Sequence, residues 1–202
     1  MADVNTDVPA GYMQQVIPGP ALLRASRQPI YDTAIMPVGV AATQVTFFQT
    51  PLGQAGKTIH DTNLETAGQL PSPNQFLFTG LGFSVQRGIA PLDFNALYEM
   101  SELEFLMGST PYVQVPLESI PTVGGATGFA ATTAGATTIS QVCNGVPLVN
   151  NVFPVAFKSK KYILITSSET FRIVLSWKAA ITPTANIRLR AWMFGIFGTP
   201  MR

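Results

Sequence analysis

Residues able to act as acid, base, nucleophile or metal ligand are few in this chain, and their spacing leaves each without a working partner. The sole histidine, His60, stands in KTIHDTNLE beside Asp61. A Ser-His-Asp relay needs a serine delivered to that imidazole, and no serine sits in a Gly-x-Ser-x-Gly elbow. One histidine and one cysteine, Cys143, fall short of the three or four ligands zinc requires. Asp61, Asn63 and Glu65 alternate through a loop and offer oxygens for a weak calcium site, but without EF-hand spacing. Glu102 and Glu104 would share a strand face roughly 7 Å apart, the arrangement of paired glycosidase carboxylates. A solvated strand face is the simpler account of them. GGATG at Gly124–Gly128 lacks the Lys-Ser/Thr of a phosphate loop. Cys143 is flanked by Gln141, Val142, Asn144 and Gly145, with no basic neighbour to favour its thiolate. The expectation is a protein that is not an enzyme, with no catalytic residue, metal or cofactor.

The composition points to subunit contacts instead. Charged residues make up 11% of 202, against roughly 25% in an ordinary soluble domain. A lone monomer keeps its surface charged, so this chain must cover itself with small polar residues or bury surface against partners. The net charge is +1, from 12 basic and 11 acidic residues. That provides no broad basic stripe, and no specific nucleic-acid partner is expected. Arg188, Arg190 and Arg202, with Lys158, Lys160 and Lys161, tilt the second half towards positive charge near Trp192. Basic side chains beside aromatics serve single-strand binding; core packing and interface salt bridges are the stronger reading here. No stretch reaches the 18 apolar residues of a transmembrane helix. The start, MADVNTDVPAGYMQQ, has early acids and no apolar segment, unlike a signal peptide.

The elements that would carry these residues are strands. Residues 1–29 read as an extended arm broken by Pro9, Gly11, Pro18, Gly19 and Pro20, with one short helical turn around Ala21–Ala25. Ile30–Pro37 and Thr43–Thr50 read as a hairpin across Gly39, and Pro51–Asn74 as a long loop. Phe76–Arg87 is a strand with Leu77, Leu81, Phe83 and Val85 on one face. Asp93 reads as the N-cap of a short helix over Asp93–Met100. Glu102–Met107 pairs with Tyr112–Leu117. The run TVGGATGFAATTAGATTIS makes 119–150 an uncharged Gly/Ala/Thr-rich loop, suited to lie flat on another subunit. Phe153–Phe157 and Tyr162–Ser167 follow as strands. Thr170–Lys178 turns Phe171, Ile173, Leu175 and Trp177 to one face. Asn186–Phe197 alternates at first and becomes apolar on both faces from Met193, as a strand buried between its own core and a neighbour would. The expected fold is an all-β antiparallel sandwich or jelly roll of about eight strands, spanning 30–202 as one domain behind the arm.

Two stretches carry a family likeness: YILITSSETFRIVLSWKAAITPTANIRLRAWMFGIFGTP and FFQTPLGQAGKTIHDTNLETAGQLPSPNQFLFTGLGF. Both resemble the strand, long polar loop and closing strands of bacteriophage jelly-roll virion proteins. The resemblance implies a capsid shell or cement (decoration) subunit present in many copies, assembled in the host cytoplasm and residing in the virion. Its partners would be copies of itself, as in a trimer, and other capsid proteins. Val8, Tyr12, Met13, Ile17, Phe129, Trp192, Phe194 and Phe197 are the expected interface residues. The alternative is a receptor- or carbohydrate-binding module of a virion, using Tyr98, Tyr112 and Trp192. A cupin-type enzyme would need several metal-binding histidines.

Overall fold

The computed structural model describes the backbone of residues 23–134, 137–145, 152–155 and 162–200. Side-chain alternation at period two builds two antiparallel sheets packed face to face. The strands are β1 (Leu23–Ser26), β2 (Ile30–Met36), β3 (Ala42–Phe47), β4 (Gln75–Val85), β5 (Ser101–Met107), β6 (Thr110–Pro116), β7 (Gly125–Ala134), β8 (Thr137–Gly145), β9 (Phe153–Pro154), β10 (Ile163–Thr166), β11 (Phe171–Ile181) and β12 (Ile187–Pro200). One α-helix, α1 (Pro91–Tyr98), is present among the described residues.

The first sheet runs β2, β12, β4, β10, and β1 continues the β2 edge along the far end of β12. The second runs β3, β11, β5, β6. Pairing is therefore nested: β2 with β12, β3 with β11, β4 with β10, β5 with β6. This nesting is the double Greek key of a jelly roll. It overturns two readings of the sequence. Ile30–Pro37 and Thr43–Thr50 do not form a hairpin: the turn at Val38–Gly39 carries the chain from one sheet to the other. Gly39, at φ +72°, donates its N–H to the Pro183 carbonyl at 2.9 Å. The helical turn around Ala21–Ala25 is replaced by β1, whose Leu23–Ser26 pair with Phe197–Pro200.

The core is aromatic. Phe47, Phe48, Phe76, Phe78, Phe83, Phe105 and Phe171 are all fully buried. Phe78 meets Phe105 edge-on at 4.8 Å and Phe47 meets Phe83 at 6.1 Å, each pair joining the two sheets. Such contacts add about 0.5–1.5 kcal/mol beyond area burial. Phe171, Ile173, Leu175 and Trp177 line the inner face of β11, as their spacing predicts. The inner face of β4 is shifted. Gly80 faces Phe194 and Phe78 faces Gly195, leaving Thr79 as an extra residue. Phe76 and Phe78 therefore point inward. Leu77 turns outward to a small cluster with Tyr162, Leu164 and Ile196, rather than sharing a face with Leu81, Phe83 and Val85. Gly195 permits this bulge, because a Cβ there would lie 2.0 Å from the Leu77 carbonyl oxygen.

Helix α1 starts one turn earlier than its sequence suggests. Pro91 occupies the first position and Ala90 is the N-cap. Asp93 is buried within the first turn, where its carboxylate accepts from Thr184 Oγ1 at 2.7 Å and from the Thr184 N–H. Trp177 Nε1 donates to the Leu97 carbonyl at 2.8 Å and ties the helix to β11.

The 119–150 segment is not a featureless loop. β7 and β8 pair with each other, with Phe129 opposite Val142 and Cys143 opposite Gly128. The stem of this ribbon lies on the first sheet. Thr122 bridges Phe83, and the Val123 N–H donates to the Phe83 carbonyl. Gly80 and Gly82 supply the space, since a Cβ there would meet Val152 at 2.6 Å and Val123 at 2.3 Å.

Candidate functional site

The outer face of the first sheet gathers the residues with the most to offer a ligand or partner. Along β12 the inward side chains are Ile187, Leu189, Ala191 and Met193. Alternation sends Arg188, Arg190, Trp192 and Phe194 to the other face. Arg190 is held from several sides. Its Nε donates to Thr33 Oγ1 at 2.8 Å and its Nη2 to the His60 carbonyl. Its guanidinium lies 5.3 Å from the ring centres of both Tyr31 and Trp192, a cation–π arrangement. Trp192 Nε1 donates to Ser84 Oγ at 3.0 Å, and its ring stacks on Phe194 at 6.2 Å. A groove of about 480 Å³ borders this ladder, between the end of β4 and the Val123–Gly124 stem.

The expected interface residues separate into three groups. Val8, Tyr12, Met13 and Ile17 lie outside the described residues, as does the side chain of Phe129. Trp192 and Phe194 are half-buried on the outer face, covered in part by this chain's own Val123 stem. Phe197 packs on the core against Phe76, at 6.4 Å, because it continues the inward alternation of Ile187, Leu189, Ala191 and Met193, the extra residue of the irregularity lying on β4. An outward contact by Phe197 does not fit that position.

The chemical candidates stay apart. His60 is exposed, and its backbone rather than its imidazole engages Arg190. Asp61 accepts from the Thr58 N–H and Oγ1, both at 3.0 Å. The Thr58 bond holds its carboxyl below the ordinary value. Asn63 is spent on β2, accepting from the Tyr31 N–H and donating to the Pro29 carbonyl. Among the described residues no group of three or more His, Cys, Asp or Glu side chains converges to hold a metal. Glu102 and Glu104 lie on the outer face of β5, opposite Ser176 and Val174. Of the proposed sugar-stacking residues, Tyr98 is stacked on Phe94 at 4.6 Å, and burial raises its hydroxyl's pKa. Tyr112 is exposed on β6. Trp192 sits between Arg190 and Phe194, so its ring is already in use.

Arg87, Ser84 and Gln86 complete the groove wall. The sequence pattern of β4 marks its apolar face and gives these polar residues no signal of their own. The signal was Arg188 and Arg190 alternating with core residues on a strand whose partner ends in Ser84–Arg87.

The chain matches no family model, no curated protein and no solved structure. The class that stands is an all-β antiparallel sandwich.

Proposed function

We propose that this chain is a structural subunit of a viral capsid, building the shell or cementing its major subunits. One observation carries the reading: a jelly-roll strand order joined to an insertion with no charged side chain from Ser119 to Phe157. A two-stranded ribbon such as β7–β8 is marginal alone in water, and unpaired strand edges are usually guarded by charge. An uncharged ribbon held at its stem is suited to pairing with a neighbouring copy. Exposed Ile35, Val38, Val40 and Leu92 on a chain with 11% charge fit the same role. Repeated copies of one subunit then close into a symmetric shell.

The test is assembly of the full chain. Light scattering and negative-stain imaging at rising concentration should give particles or sheets if it builds the shell. Trimers that bind preformed shells would place it as cement. A chain that stays monomeric and binds no shell, with 119–150 open to protease throughout, would end the proposal.

A further inference from the structure

The same outer face carries positive charge that the described part of the chain does not neutralise. Arg87, Arg188 and Arg190 line the groove with Ser84, Gln86 and Trp192. Among the described residues the only ion pair is Lys57 with Asp32. None of the three guanidiniums therefore has a carboxylate at salt-bridge distance there. One acid, Asp61, feels both Arg188 and Arg190, which sets three positive charges against a single negative one.

The arginines are also arranged. Arg188 and Arg190 are two residues apart on one strand face, roughly 7 Å along it. Arg188 is fixed by its backbone, whose N–H donates to Gln86 Oε1 at 2.9 Å and whose carbonyl accepts from the Gln86 N–H at 3.0 Å. That reciprocal pair holds the start of β12 beside the end of β4, where Arg87 follows. Arg190 is already ordered by Thr33, His60, Tyr31 and Trp192. Those hydrogen bonds use Nε and Nη2 and leave Nη1 free to donate. Ordering a guanidinium beforehand removes part of the entropy cost of binding. Forked guanidinium donors match the oxygens of phosphate better than ammonium groups do. A net excess of two positive charges suits a phosphate better than a single carboxylate.

We propose that this groove is a phosphate-binding subsite, taking the phosphate of a free nucleotide or of a nucleic-acid strand. The assignment is independent of the capsid reading. A chain of net charge +1 has no wide electrostatic footprint, so recognition is local to one phosphate and its neighbours.

Tryptophan fluorescence of the full chain tests it. The chain has two tryptophans, and Trp177 is buried with its Nε1 on the Leu97 carbonyl, so the response reports Trp192. Inorganic phosphate, a nucleoside monophosphate and a single-stranded oligonucleotide are titrated at low salt. A saturable change is expected with each. The double variant Arg87→Gln/Arg188→Gln alters two exposed side chains and should bind about tenfold more weakly or worse, with an unchanged Tm. Tighter binding of the oligonucleotide than of the monophosphate identifies the strand as the source; equal binding identifies the free nucleotide. The proposal is overturned if no phosphate compound gives a saturable change, if the double variant binds equally well, or if only a carboxylated sugar saturates the signal.

Discussion

The two long connections of this sandwich are fastened by different means. The β3–β4 connection holds Lys57, His60, Asp61 and Glu65, and polar contacts strap it to β2. Lys57 Nζ donates to Asp32 at 2.6 Å, and the other carboxylate oxygen accepts from the Phe48 N–H at 2.6 Å. Asn63 and Thr62 add bonds to the backbone of Pro29 and Tyr31. The β6–β10 connection carries no charge from Ser119 to Phe157 and is seated by backbone bonds to β4, from the Val123 N–H to Phe83 and the Val155 N–H to Thr79, and by shape, with Val123 over Gly82 and Val152 over Gly80. A polar strap is satisfied within its own chain. A connection seated only at its stem leaves the ribbon beyond it with backbone edges to offer.

That contrast is broken most severely at Asp32, which is 0% exposed. Asp32→Ala strands the Phe48 N–H and removes the partner of Lys57. The expected loss is about 3 kcal/mol, read by denaturant unfolding, with protease cuts appearing in 51–74 and not in 119–150. Gly82→Val is the counterpart. Its side chain collides with Val123, and the expected cost is about 1–3 kcal/mol. Amide exchange should quicken at Val123 while Phe48 stays protected. Adding Val123→Ala to Gly82→Val should recover part of that loss; equal destabilisation in both would show that shape does not seat the stem.

The smallest effect is on pH dependence. Burial raises the pKa of Asp32 above 3.8, against the opposing pulls of Lys57 and the Phe48 N–H. A carboxyl raised in the fold binds its proton more tightly there than in the unfolded chain. Its contribution is thus fully present below pH 3.8 and falls away as pH rises through the folded value. The advantage of the native chain over Asp32→Asn should therefore shrink with rising pH across that window. Asp61 is lowered below 3.8, chiefly by Thr58. Its contribution is present above 3.8 and lost as pH falls through the folded value. The advantage over Asp61→Asn should accordingly vanish in acid. Stability curves of both variants against pH check the two signs.

Much of the sandwich is legible in local alternation. The inner faces of β5 and β11 and the first half of β12 follow directly from apolar residues at period two, because each such face must leave water. The breaks in period were not legible. Thr79 inserts one residue in β4, so Leu77 lands on the face opposite the one its spacing suggests. The groove escaped for a related reason. Arg87 and Arg188 are remote in sequence and become neighbours only when β4 pairs with β12.

By itself the sequence determined that this chain is a β-protein, poor in charge and lacking the residues of the familiar catalytic and metal motifs, since these follow from composition and short-range pattern. Only the tertiary structure decided which strands pair. It sent β2 and β3 to different sheets, made a ribbon of the Gly/Ala/Thr-rich run, and set three arginines around one groove. Hydrogen bonding between strands is satisfied by any partner of suitable register. The choice among partners is made by long-range packing of Phe78 on Phe105 and Phe47 on Phe83, and no local window contains that information.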